Sequence, residues 1–466
     1  MRALLVSTYE MGRQPFGLAS AAAWLRASGW DVTSVDAAKA KLTAAHFTDA
    51  ELIAFHLPMH TATRLAGPVI AAARRANPAA RICAFGLYAP LNDEWLRGLG
   101  VDATFGGEFE EDLVAFAGDP RTTQNPQNSQ SLSAVSAGSA LKSRDVLPRI
   151  HFLVPDRTGL PPLSKYATLQ MPDGERRLVG YTEASRGCKH VCRHCPVVPI
   201  YNGRFRIVQP DVVLADIEAQ IAAGASHITF GDPDFFNGPT HAMRIVEALH
   251  AAHPAVSYDV TIKIEHLLAH RDLITRLAET GCAFVISAVE SIDDTVLEIF
   301  DKGHTRAGFA EAAALCRAAG LTLVPTFVAF HPWLTLDAYC ELLDTIDDLD
   351  LVDHVAPIQL AIRLLVPEGS RLPTLDAMRA HAGAFDPATL TYRWVHPDAR
   401  VDRLQADIMA LVGMRLNADR RAVFDEVRAL ARERAGLPPR LGSGQANTHP
   451  ARARATVPYL NEPWYC

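Results

Sequence analysis

Residues 119–147, DPRTTQNPQNSQSLSAVSAGSALKSRDVL, cut this 466-residue chain into two stretches that each alternate strand-like and helix-like runs. The segment is rich in Ser, Gln, Asn and Pro and poor in large apolar groups. It cannot bury enough surface to offset its ordering entropy, so it is expected to be a flexible linker. Before it, RALLVS, DVTSVD, LIAFHL and ARICAFGL read as strands, with FGLASAAAWLRASG and ATRLAGPVIAAARRANP as helices between them. This alternation predicts a doubly wound α/β domain over residues 1–118, with ligand-binding loops at the carboxyl ends of its strands. After the linker, YTEAS, SHITF, SYDVTI, AFVISA, LTLVPTF and HVAPIQL read as six strands, separated by helices such as DVVLADIEAQIAAG and AGFAEAAALCRAAG. Six strands of this kind predict a partial (β/α)6 barrel of the TIM type over residues 148–366, its functional loops gathered at one end. Two amphipathic helices, DARVDRLQADIMALVGMRL and RAVFDEVRALARERAG, predict a small helical region over residues 367–437. Residues 438–466 read as a flexible tail.

A net charge of −7 gives no electrostatic reason to expect nucleic acid as a partner. No apolar run approaches the ~20 residues of a bilayer span, so no membrane contact is expected. MRALLVSTYE turns polar after Val6, as a first strand does and a secretory signal does not. A cytoplasmic protein is therefore expected. Of eight cysteines, Cys83, Cys282, Cys316, Cys340 and Cys466 are scattered, whereas Cys188, Cys192 and Cys195 cluster in GCKHVCRHCP. Such a cluster in a reducing compartment points to metal or redox use rather than to disulfides. A closed zinc site wants four ligands; His190 and His194 lie inside the same tight loop, where each would strain to reach a shared ion. Three soft thiolates suit a four-iron cubane with one iron left open to a catalytic cofactor.

The spacing C-x3-C-x2-C, just after the first strand of a six-strand α/β domain, resembles the radical S-adenosylmethionine (SAM) superfamily. The resemblance implies a [4Fe–4S] cluster on Cys188, Cys192 and Cys195, and SAM chelated to the open iron. It implies reductive cleavage of a carbon–sulfur bond, an electron donor such as flavodoxin or ferredoxin, and a small-molecule substrate. It also implies SAM contacts at the strand ends. Gly231 and Asp232 stand where the superfamily holds the SAM amino group, although its usual Gly-Gly-Glu is absent and a turn with an Asp cap is the other reading. Lys263 and Glu265 follow the third strand. Ser287, Glu290 and Ser291 follow the fourth, as ribose and carboxylate contacts or, for Ser291, as part of a helix cap. Arg363 is either a partner of the SAM carboxylate or an edge residue that snorkels.

RQPFGLASAAAWLRASGWDVTSVDA and GVDATFGGEFEEDL resemble the opening and close of the cobalamin-binding (B12-binding-like Rossmann) domains that precede many radical SAM cores. The resemblance makes cobalamin a further candidate cofactor, near Met59, His60, Thr61, Thr63, Gly86, Leu87 and Tyr88. The cobalt-ligating D-x-H-x-x-G is missing; His56 and His60 read equally as ordinary loop polarity. Some relatives bind cobalamin without that pattern and others keep the domain as a scaffold. EPWYC at the end resembles a radical SAM subfamily named for a CUAEP or CCAEP tail, as do MHTATRLA, GLYAPLN, KIEHLL and AVESIDD. That resemblance implies a product extending past Cys466 through a selenocysteine codon, and a catalytic role for Cys466. A related group with a cysteine-rich tail transfers the aminocarboxypropyl part of SAM to trivalent arsenic. The implied reaction is thus aminocarboxypropyl transfer to a thiophilic element such as arsenic. Cobalamin-dependent methyl transfer is the alternative within the superfamily, and a thiol-based metal or arsenite sensor without catalysis is the alternative outside it.

Overall fold

The computed structural model describes residues 1–119, 150–416, 418–440 and 454–462. The expected linker, apart from Asp119, and Cys466 lie outside the described residues. In the first domain β1 (Arg2–Ser7), β2 (Asp31–Asp36), β3 (Leu52–His56), β4 (Arg81–Phe85) and β5 (Ala103–Phe105) form a parallel sheet in the order β2-β1-β3-β4-β5. Its inner strands β1, β3 and β4 are apolar at most positions because both faces are covered. Leu4, Val6, Ile53 and Phe55 pack on one side; Leu5, Leu52, Ala54 and Phe85 pack on the other. The order reverses between β1 and β3, which sets a crevice at their carboxyl ends.

The second sheet is a half-barrel. Strands β7 (Arg176–Thr182), β10 (His227–Phe230), β11 (Ser257–Thr261), β12 (Cys282–Glu290) and β13 (Thr322–Phe327) run parallel. On one side Ile228, Tyr258, Val260, Val285 and Val289 pack into the helix layer. On the other, Val179, Phe284, Ile286 and Val324 form a smaller apolar patch. A short antiparallel pair, β8 (Ser185–Gly187) and β9 (Phe205–Ile207), closes off the cysteine-bearing loop. No described helix is long and apolar enough to cross a membrane.

Three expectations need correction. HVAPIQL is not a sixth strand: Val352–His354 and Pro357–Leu360 are 3-10 turns, and parallel contact with the preceding segment survives only as the bridge Phe330–Arg363. Pro357 has no N–H for a ladder, which disfavours a strand there. The region after Pro367 is not purely helical, since β14 (Ala382–Asp386) and β15 (Thr391–Trp394) form a hairpin turned at Asp386, whose carboxylate accepts from the Ala388 amide. The tail is not loose throughout. Strand β16 (Tyr459–Leu460) pairs with β6 (Thr168–Gln170), itself antiparallel to β7, and Glu462 meets Arg13 at 2.7 Å.

Arg186, two residues before Cys188, locks the domains together. It is buried, reaches Glu110 of the first domain at 2.6 Å and Glu183 at 2.7 Å, and lies over the rings of Phe16, Phe109 and Phe152. Glu110 is 0% exposed and also accepts from Ser20. Removing one partner of a buried ion pair leaves its mate uncompensated. Glu110→Ala is therefore expected to lower unfolding free energy by about 3 kcal/mol, at the low end of the range for such losses because Glu183 remains. Denaturant melts check this, and a loss under about 1 kcal/mol would contradict the lock.

Candidate active site at the strand ends

The thiol loop runs from β8 to β9. Gly187 opens it with φ of +78°, and a Cβ there would lie 2.4 Å from the Tyr201 ring, so the turn requires glycine. The Cys188 amide donates to the Arg204 carbonyl at 3.1 Å. Asn237 clamps the peptides on both sides: its Nδ2 donates to the Gly187 carbonyl at 3.2 Å, and its Oδ1 accepts from the Lys189 amide at 3.1 Å. Arg193 fixes the middle of the loop, bonding through its backbone to Phe300 and Arg371 and through its guanidinium to the Glu298 and Ile299 carbonyls. All three clustered cysteines are free thiols, and burial pushes Cys188 up to about 12 and Cys195 up to about 11. Metal ligation of such thiols must release protons.

Among the described residues, one set of three donor atoms lies within 4.8 Å of one another, from His190, Asp234 and His266. The soft, free thiol set of Cys188, Cys192 and Cys195 fits a polynuclear iron–sulfur cluster.

Charged groups close around the loop. Lys263 Nζ stands 3.8 Å from Cys192 Sγ and 3.2 Å from Glu265 Oε2. Glu290, at the end of β12 with φ of +68°, receives His194 at 3.1 Å and Lys302 at 3.5 Å, both on Oε1. Burial works to raise the Glu290 carboxyl, but Lys302 and His194 outweigh it and hold it at about 2. Burial, then Lys263, brings His190 down to about 4. Neither His194 nor Lys302 stood out as site residues in the sequence; each becomes visible only through the partner it meets.

The structure gathers Lys263, Glu265 and Glu290 with the three cysteines, and it puts five other expected contacts to different use. A Cβ on Gly231 would lie 1.8 Å from Tyr181 Oη, so this glycine makes room for that ring. Asp232 faces inward, accepting from the Ala184 amide at 2.9 Å and Ser185 Oγ at 2.5 Å. Ser287 is fully buried without a hydrogen-bond partner, on the same side of β12 as Val285 and Val289, so its side chain belongs to the helix layer. Ser291 Oγ accepts from the Asp293 amide, and Asp293 caps the next helix. Arg363 is also committed elsewhere, to Asp402 at 2.6 Å, to the Trp394 carbonyl at 2.8 Å, and over the Trp394 ring. It anchors the C-terminal region.

In the first domain Leu87 packs against the cluster of Cys188, Val197 and Tyr201, so the loop after β4 lies against the thiol loop. His56 fills the crevice at the β1–β3 reversal, its Nδ1 2.6 Å from Glu10 Oε1 without hydrogen-bond geometry, and its ring lies against Gly17. His60 Nε2 bonds the Thr389 carbonyl, and His46 bonds Thr43. Each histidine of this domain is thus engaged by the protein.

Residues 182–346 match the radical SAM superfamily. The chain carries a radical SAM domain. That superfamily works with a [4Fe–4S] cluster and SAM; the reaction type is left open by these matches. The bacteriochlorophyllide d C-8(2)-methyltransferase of Chlorobaculum tepidum is 26% identical over 38% of this chain and 38% of its own length. The hopanoid C-3 methylase of Methylococcus capsulatus is 24% identical over 32% and 29%. The matched stretches span less than half of each of these relatives. The methyltransferase TsrM from Kitasatospora setae, solved with tryptophan and a SAM analogue, superposes with a TM-score of 0.68 over 88% of both chains at 15% identity. OxsB, solved with aqua-cobalamin, superposes at 0.65 over 88% of this chain and 67% of its own at 13% identity. The shared fold is a B12-like domain followed by the radical SAM half-barrel.

Two outcomes follow. Asn237→Ala frees the peptides flanking Cys188, and the radical SAM domain is expected to retain less than about half the iron of the parent while keeping its secondary structure; full iron content would contradict the clamp. Burial raises the Asp232 carboxyl to about 7 despite its two hydrogen bonds. The stability it contributes is full below the ordinary carboxylate pKa and is lost as pH rises through about 7. The apoprotein should therefore gain melting temperature relative to Asp232→Asn between about pH 8 and pH 5. An unchanged difference would show that Asp232 is not held protonated.

Proposed function

We propose that Cys188, Cys192 and Cys195 hold the [4Fe–4S] cluster of this radical SAM enzyme, and that Lys263, Glu265 and Glu290 line the SAM site beside it. The observation that carries the reading is a hairpin-closed loop of three free thiols at the strand ends, faced by an ammonium group. When bound, the cluster with SAM supplies the electron that breaks a carbon–sulfur bond of the sulfonium. Lys263 offsets negative charge on the Cys192 sulfur, and hydrogen bonds to cluster sulfurs tune reduction potential. Glu290 stays ionised; His194 and Lys302 occupy Oε1, which leaves Oε2 to accept from a ribose hydroxyl or an ammonium group. Leu87 and Tyr201 cover the loop and restrict water.

The reaction is aminocarboxypropyl transfer from SAM to a thiophilic acceptor such as trivalent arsenic, on a small-molecule scale and with an external electron donor. The support is resemblance of sequence, including the cysteine-bearing end of the chain. A second reading, corrinoid-dependent methyl transfer, is supported by the likeness to TsrM and OxsB; the loops carrying Met59, Thr61 and Gly86 would hold the corrinoid without a histidine ligand.

Anaerobic turnover with a chemical reductant tests both. Methylthioadenosine is expected, whereas S-adenosylhomocysteine formed only with added cobalamin would overturn the first reading in favour of the second. Single Cys→Ala variants at 188, 192 or 195 should lose SAM cleavage by at least about 1,000-fold together with cluster iron. Intact iron and cleavage would sink the assignment. Lys263→Gln should retain iron but shift the cluster to a lower reduction potential, and an unchanged potential would remove Lys263 from that role.

A further inference from the structure

Outside the thiols, three polar side chains from three separate segments meet behind the loop. His190 lies between Cys188 and Cys192, Asp234 follows β10, and His266 follows β11. Asp234 is 0% exposed and His266 4% exposed. Asp234 Oδ1 accepts from the Phe236 amide, which leaves Oδ2. That oxygen lies 2.7 Å from His266 Nδ1 and 3.7 Å from His190 Nε2, and the two Nε2 atoms are 3.0 Å apart. Asp234 Oδ2 and His266 Nδ1 are both buried without hydrogen-bond geometry to any partner, despite their closeness. Buried charges are paired or coordinate metals.

We infer that His190, Asp234 and His266 form a second, mononuclear site for a divalent ion of the zinc class, separate from the three thiols. One donor atom from each residue falls within 4.8 Å of the other two. Around a tetrahedral ion with bonds of about 2.0–2.1 Å, neighbouring donors stand roughly 3.4 Å apart; the His190 Nε2–His266 Nε2 and His190 Nε2–Asp234 Oδ2 separations of 3.0 and 3.7 Å bracket that value. Two imidazoles and one carboxylate are borderline donors, suited to zinc or ferrous ion and not to the soft chemistry of the thiols. The site also has an outer partner: Glu265 Oε2 stands 3.6 Å from His190 Nδ1, on the far side of that ring, where a carboxylate orients a metal-bound imidazole. Three protein ligands leave one position for water or substrate. The ion ties the first half of the thiol loop to the ends of β10 and β11.

Metal analysis of the full chain, purified anaerobically and titrated with zinc after dialysis, tests this independently of the cluster because iron and zinc are read separately. One zinc per chain is expected. The Cys188/Cys192/Cys195→Ala triple variant should lose iron and keep that zinc. Asp234→Asn, which preserves the cap on Phe236, and His266→Ala should each bind zinc at least about tenfold more weakly with the iron-binding thiols intact. Cobalt(II) substituted into the triple-Ala variant should show the d–d bands of a nitrogen- and oxygen-ligated ion. No zinc in the parent, loss of zinc with the thiols, or undiminished zinc in Asp234→Asn or His266→Ala would each overturn the site and leave a plain hydrogen-bonded chain.

Discussion

The buried guanidinium of Arg186 is the constraint on which the rest depends. It sits in the strand that leads directly into Cys188, and its carboxylate partner Glu110 belongs to the other domain. A charge taken out of water must be matched where it lies, so the position of the thiol loop is set by both domains together. Leu87 against the cluster of Cys188, Val197 and Tyr201 is the apolar counterpart of the same arrangement. The first domain therefore forms one wall around the thiol loop.

Within that frame the loop is held by features that have little to do with its sulfurs. A left-handed glycine starts it, Asn237 grips the peptides on either side of Cys188, and Arg193 pins its centre to the end of a helix. These contacts fix the backbone before any metal arrives, which lowers the ordering cost of assembling a cluster. The charged residues then divide into two groups: Lys263 faces a sulfur, whereas Glu290, His194 and Lys302 form a neutralising cluster on the other side.

Strand positions and the thiol loop were legible in the sequence because they rest on local pattern: apolar runs, helix periodicity and a short cysteine spacing. What escaped depends on facing direction or on distant partners. Ser287 reads as a site residue by its place at a strand end, yet Val285 and Val289 on either side already mark its face as the helix-facing one. Arg363 looks like a stray charge in an apolar strand until Trp394 and Asp402 supply its partners. Asp232 reads as a ligand contact and proves to be a brace under Ser185. The missing sixth strand was signalled by Pro357. The His190–Asp234–His266 group spans three segments and has no sequence spacing to betray it.

The most direct test of the central claim is electron–nuclear double resonance on the reduced, reconstituted chain with SAM labelled at its amino nitrogen and carboxylate oxygens. Hyperfine coupling of both labels to a four-iron cluster is the expected result, because an iron without a cysteine is open to those groups. A four-iron cluster that shows no coupling to either label, or no cluster at all, would contradict the account.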